Sequence, residues 1–248
     1  MPDRFDARPP KSHDWRPLAL GALGMVALTP MVAQAAQAEP CTLDVGPSLQ
    51  QLQELSTARS SDDPISAKLR GYLAEKLEEV GKTTKGFERD FRQLHQLGQR
   101  LEQHRELGEG THFVAGQLIT VTPDQVTVLQ EDLRWVSQNG GQEVRVEDPD
   151  QTVLQRLSMG DTTVVEGERG KLTRFANGAL EVQANGEAIK IDGNTFSRTT
   201  IDASDEGSRI VEEKLTASPE DVRATSVIET RDADEKPLLR IEIEMRAG

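Results

Sequence analysis

Asp202, Ser204, Glu206, Gly207 and Glu213 stand at positions 1, 3, 5, 6 and 12 of the segment DASDEGSRIVEE. A helix–loop–helix calcium loop uses that spacing: oxygen ligands at the odd positions, a glycine for the sharp turn and a closing bidentate glutamate. Two features point the other way. The apolar residue usual at position 8 is replaced by Arg209, with Ile210 one place late, and the preceding TFSRTTI reads as strand rather than helix. Acidic glycine-containing loops also arise by chance in so acidic a chain, and a polar turn is the plainer expectation. Calcium at Asp202, Ser204, Glu206 and Glu213 is thus the one cofactor candidate, and no other cofactor is expected.

The remaining reactive side chains form no recognisable constellation. His95, His104 and His112 have no partner at i,i+4 and join no Cys/His cluster, so they read as exposed polar residues on or after a helix rather than zinc ligands. The sequence holds no G-x-S-x-G, no S-x-x-K and no phosphate-cradling glycine motif. Glu106, Glu109 and His112 gather near a change of hydrophobic period, where a solvated junction explains them. Asp148 and Asp150 flank Pro149, which is ordinary turn chemistry. No catalytic residue is expected, and the balance is against an enzyme.

The first 38 residues read as a secretory signal. Arg4, Arg8, Lys11 and Arg16 precede an uncharged run over 18–28, Pro30 breaks the helix, and Ala36-Gln37-Ala38 offers cleavage before Glu39, with a second site after Ala35. A retained anchor is the alternative, since 18–38 is about long enough to span a bilayer. Once cleaved, the protein would keep no stable membrane span and would be periplasmic or secreted. Cys41, the single cysteine, allows no intrachain disulfide and is expected to be an incidental thiol.

Removing four cations and three anions from 29 and 42 leaves a net charge of −14. Such a charge repels phosphates and argues against nucleic acid as a partner. Seven aromatics remain beyond residue 38, so the core is expected to be thin and aliphatic, and a stacking platform for bases is not expected.

Residues 39–63 form a lead-in with one short amphipathic piece, Leu49, Leu52 and Leu55. Asp63 is placed to cap a helix and Pro64 suits its first position. Ile65, Leu69, Tyr72, Leu73, Leu77 and Val80 then keep a helical period, followed by Phe87, Phe91, Leu94, Leu97 and Leu101. Gly81 reads as a stop between two helices over 64–80 and 84–107, predicting a helical hairpin over 64–107; one kinked rod is the alternative.

Beyond Gly110 the period becomes two, and turn dipeptides such as Asn177-Gly178 and Asn185-Gly186 divide the segments. About ten strands are expected over 111–248, joined by short turns into an antiparallel meander. The eight-residue spacing of turns at 177, 185 and 193 is either a short repeat or the length of a strand plus its turn.

The fold class is therefore α+β: a helical hairpin, then an antiparallel meander forming an open curved sheet, a sandwich or a partial barrel. Residues 64–107 carry net +2 and 108–248 net −12, so the helices could dock on their own sheet or on another anionic surface, although a solvated face is the plainer reading. The expected function is that of an exported, non-catalytic envelope binding or scaffold protein with an envelope protein as partner. A carrier of an apolar ligand or lipid stands second, and a cell-envelope hydrolase third. The pattern leaves the oligomeric state open.

Overall fold

The structure, a computed structural model, describes residues 43–58, 63–148, 152–184, 186–204 and 207–246. The expected signal segment, Cys41, Asn185 and Glu206 lie outside the described residues. Two α-helices come first, α1 (Gly46–Thr57) and α2 (Pro64–Gln103), and a 3-10 turn over His104–Leu107 follows. The strands are β1 (Gly110–Val114), β2 (Gln117–Val121), β3 (Gln125–Gln130), β4 (Leu133–Gln138) and β5 (Glu143–Glu147). Next come β6 (Thr152–Met159), β7 (Thr162–Gly167), β8 (Gly170–Arg174), β9 (Leu180–Ala184) and β10 (Glu187–Asp192). Four longer strands end the order: β11 (Thr195–Ser204), β12 (Gly207–Ala217), β13 (Val222–Asp232) and β14 (Pro237–Arg246).

The α+β class and the antiparallel meander stand. Among the described residues fourteen strands lie in one sheet in strict sequence order, and the sheet is open. The expected count of ten was low for identifiable reasons. Ala115 and Gly116 both take positive φ and turn β1 into β2 without an Asn-Gly signal. The strands β4, LRWVSQ, and β6, TVLQRLSM, break the period-two alternation at Trp135-Val136 and Val153-Leu154. The eight-residue spacing is strand plus turn rather than a repeat: Leu172, Leu180 and Phe196 are buried, while Ala188 pairs with Gln183 and lies on the opposite face from Ile191.

The helical hairpin over 64–107 is not found. Asp63 does cap α2, accepting from the N–H groups of Ile65 and Ser66, but the helix runs unbroken for 40 residues through Gly81. Buried positions explain this: Leu69, Leu73, Leu77, Val80, Thr84, Phe87, Phe91, Leu94, Gly98 and Leu101 keep one phase of threes and fours across the expected stop. Thr84 is 1 % exposed and links the two halves, its hydroxyl donating to the Gly81 carbonyl at 3.2 Å. A glycine in a helix interior costs only about 1 kcal/mol, which an unbroken buried stripe offsets. A hairpin does exist, but α1 supplies its other arm. Leu55 lies against Arg70 and Leu49 against Gly81, so α1 runs antiparallel to α2.

The helix crosses the strands as a spine. Its residue numbers rise as strand numbers fall: Tyr72 meets Glu213 on β12, His95 meets Arg156 on β6, and Gly98 meets Val144 on β5. At about 1.5 Å per residue, 40 residues reach about 60 Å. Ten strand spacings of about 4.8 Å need about 48 Å, so the helix is long enough to pass from β13 to β3. The core is the layer between helix and sheet, with Phe87, Leu94, Leu172, Ile191, Phe196 and Leu215 all nearly inaccessible. A smaller cluster of Leu101, Ile119, Val121, Val126 and Val128 continues it toward β2. The helix thus docks on its own sheet, and apolar packing holds it there.

Candidate functional site

Two arginines set where the spine begins and ends. Arg70 Nη2 donates to the carbonyls of Ser218 at 2.9 Å and Pro219 at 3.2 Å, in the turn between β12 and β13. Arg105 Nη1 donates to the carbonyls of Thr122 and Pro123, both at 2.9 Å, in the turn between β2 and β3. The two turns repeat one pattern, TVTPDQV over 120–126 and TASPEDV over 216–222. In each, the hydroxyl residue caps its own turn: Gln125 N–H donates to Thr122 Oγ1 at 3.1 Å, and Asp221 N–H to Ser218 Oγ at 2.9 Å. The hydroxyls take the Gln125 and Asp221 N–H groups, and the carbonyls of Thr122, Pro123, Ser218 and Pro219 accept from the arginines. This recurrence was legible in the sequence and went unread, because its two copies lie far apart and turn different hairpins.

The clamps sit one strand in from each edge, so both edge strands lie outside them. Among the described residues β1 pairs with β2 alone and β14 with β13 alone. The two edges differ in character. The strand β1 has five residues and presents Gly110, His112 and Val114 on the side that carries the core. The strand β14 has ten, all exposed.

Side chains alternate across a strand, which separates the two faces of β14. Leu239, Ile241, Ile243 and Met245 share the core-bearing face, opposite Thr230, Ile228, Ser226 and Ala224 of β13. They are 53 %, 42 %, 48 % and 44 % exposed. The same row continues inward to buried Leu215 and Phe196, so it is the core layer carried past the reach of the helix. The other face holds Leu238, Arg240, Glu242, Glu244 and Arg246, with Arg240 paired to Glu229 at 3.5 Å and Arg246 to Glu244 at 2.7 Å. Half of the backbone N–H and C=O groups of such a strand point outward, free to pair with another strand. Four charges lie on the outer face of the strand and a proline at its first residue, but the core-bearing face carries no charge and the strand has no lysine. The register shift lies at the start of the ladder, between Thr230 and Arg231.

Of the calcium candidate, the described residues Asp202, Ser204 and Glu213 are spread along two paired strands. Asp202 and Ser204 lie on β11, where Asp202 pairs with Arg209 and Ser204 with Gly207. Glu213 lies on β12, four residues beyond Arg209, which is about 13 Å along a strand. It accepts instead from the Tyr72 hydroxyl at 3.0 Å and lies 3.7 Å from Arg198. Burial, and after it the Glu213 carboxylate, pushes the Tyr72 hydroxyl above its ordinary pKa. Among the described residues no three His, Cys, Asp or Glu side chains are grouped to hold a metal.

The histidines are scattered, and one departs from expectation. His95 is buried rather than exposed, with Nδ1 2.9 Å from Arg156 Nη1 and its ring stacked on Phe91. His104 lies in the 3-10 turn, where burial pushes its pKa down. His112 Nε2 lies 3.1 Å from the Gly108 carbonyl. Glu106 and Glu109 are exposed at the junction.

A groove of about 710 Å³ runs beside the α1–α2 contact, and Glu78, Lys82, Lys85, Glu88 and Arg92 give it a charged lining. No known protein family, curated protein or solved structure matches the chain. The site that stands out chemically is the long edge at β14, with its row of exposed apolar side chains on the core-bearing face.

Proposed function

We propose that this chain is an exported, non-catalytic binding or scaffold protein of the cell envelope, and that it acts through protein–protein contacts made at β14. One observation carries the reading: a ten-residue edge strand presents four exposed apolar side chains in a row beside unpaired backbone groups. Strand addition uses both features at once, the backbone for affinity and the alternate side chains for specificity. The filled layer beneath α2 supports protein contact over ligand carriage, because Phe87, Leu94, Phe196 and Leu215 already occupy that space. The signal-like segment over 1–38 supports export to the periplasm or beyond.

The test places a photo-crosslinking residue at Ile241 in the full chain, in the native envelope, with Val227 as a control position one strand in. A protein adduct at Ile241 that is lost when Ile243→Lys is added supports the docking edge. An adduct equally strong at Val227, or insensitive to Ile243→Lys, would set the edge aside. Sequencing the amino terminus of the envelope form should begin at Glu39 or Ala36; an intact Met1 would remove the export reading.

A further inference from the structure

We infer that the partner strand at β14 is β14 of a second copy of this chain, paired antiparallel about a two-fold axis through Ile241. The inference rests on the docking-edge reading and names its occupant.

The argument is one of register. When a strand pairs antiparallel with its own copy, one position faces itself and the others pair symmetrically about it. With Ile241 on the axis, Leu239 faces Ile243 of the second copy, Arg240 faces Glu242, Leu238 faces Glu244, and Pro237 faces Met245. Every residue from 237 to 245 then has a partner, so the strand overlaps itself almost along its full length. The apolar row meets an apolar row, and the outer face gains two Arg–Glu pairs related by the axis.

Neighbouring registers lose this match. With Glu242 on the axis, two glutamates face each other. With Ile243 on the axis, Arg240 faces Arg246 and Glu242 faces Glu244. With Arg240 on the axis, two arginines face each other. Like charges directly opposite across a ladder repel, which removes the registers centred on Arg240, Glu242 and Ile243. With Leu239 on the axis no like charges meet, but the strands overlap over 237–241 alone, so charge and overlap together select the Ile241 register. Its one like-charge encounter, Arg246 with Lys236, falls beyond the strand, and Arg246 already has Glu244 at 2.7 Å. Glu242 is the complementary case: it stands opposite Val227 within its own sheet and is free to serve the second copy.

The other edge fits less well. Five residues of β1 would leave half of β14 unpaired, and a head-to-tail contact grows into an open filament. The two-fold contact closes. It keeps both core-bearing faces on one side, so the apolar rows of the two copies become a single patch between the starts of the two α2 helices.

The experiment uses the chain from Glu39 onward. Native mass spectrometry and sedimentation should give a dimer. In a Cys41→Ser background, Ile241→Cys should form a disulfide-linked dimer on mild oxidation, while Leu239→Cys and Ile243→Cys should not, because only the axial position faces itself. Glu242→Arg should weaken the dimer about tenfold or more, and mixing it with Arg240→Glu should restore a heterodimer, since that mixture alone has opposite charges at both pairs. A monomer, or a dimer that Ile241→Cys fails to link, overturns the inference. If the Ile241 photo-adduct in the envelope then has the mass of a different protein, the docking edge survives and only self-pairing falls. If no adduct of any kind forms, both fall.

Discussion

Arg156 Nη1 lies 2.9 Å from His95 Nδ1, and both residues are buried. A guanidinium can only donate, so Nδ1 must accept and the ring proton must sit on Nε2. Gln99 Nε2 stands 3.1 Å from His95 Nε2, so with the ring proton there the Gln99 amide has to be turned over to present its oxygen as the acceptor. Arg156 also donates to the Gly141 carbonyl and lies 5.4 Å from the Phe91 ring centroid. One cation therefore joins the C-terminal third of α2, the strand β6 and the turn at 139–141. Arg156→Met should lower unfolding stability by about 2–4 kcal/mol, because it strands buried acceptors. Arg156→Lys should recover little of this, since an ammonium cannot span both acceptors. Urea unfolding of the three proteins checks it.

The two clamps should differ in strength. Arg70 is 3 % exposed and also donates to Leu55 in α1, whereas the Arg105 side chain is 30 % exposed. Arg70→Ala should cost about 2–3 kcal/mol and Arg105→Ala about 1 kcal/mol or less. Hydrogen exchange should show the local effect, with faster exchange in β12 and β13 for the first variant and in β2 and β3 for the second.

Two helix glycines predict opposite signs. A Cβ on Gly81 would approach Leu49 Cδ2 at 3.9 Å, an ordinary contact, so Gly81→Ala should stabilise by about 0.5–1 kcal/mol. A Cβ on Gly98 would lie 2.7 Å from Val144 Cγ2, and Val144 is fully buried, so Gly98→Ala should destabilise by about 1–3 kcal/mol. Thermal melts of the pair test whether α2 is continuous and how closely it approaches β5.

Asp90 gives the pH prediction. Burial raises its pKa, against the lowering effect of Arg169 and Arg89. A folded pKa above the unfolded one means that its contribution is fully present below the unfolded value, about 3.9, and is lost as pH rises through the folded value. Asp90→Asn abolishes this titration. The variant should therefore gain stability relative to the wild type between about pH 3.5 and pH 7. Paired urea curves at both pH values decide it, and a constant difference between the proteins would contradict the assignment.

Much of the architecture was legible. Asp63 and Pro64 marked the start of α2, and the change of period near Gly110 marked the start of the sheet. Alternation over β7–β14, with Asn-Gly turns between several of them, implied antiparallel neighbours. The unread parts share a cause. Continuity through Gly81 depends on Thr84 acting as a buried link, and a threonine counts as polar until its burial is known. The burial of His95 depends on Arg156, which is 61 residues away.

The spread of the described calcium-candidate residues has the same kind of cause. Position along the chain set Asp202, Ser204 and Glu213 at loop spacing, but β11 and β12 pair throughout that stretch and carry Glu213 away from the hairpin tip. Spacing is a local property, and pairing is not.

Side-chain period and turn chemistry carry most of the element types, their order and the two faces of every well-alternating strand, because these are local properties. Leu239, Ile241, Ile243 and Met245 were an apolar row in the sequence, like several other rows. That this row stays uncovered follows from the packing: the first turns of a 40-residue helix are tied by Arg70 to the β12–β13 turn, and β14 lies one strand beyond. The length of the spine set against the width of the sheet is a relation between distant parts of the chain, and no local pattern contains it.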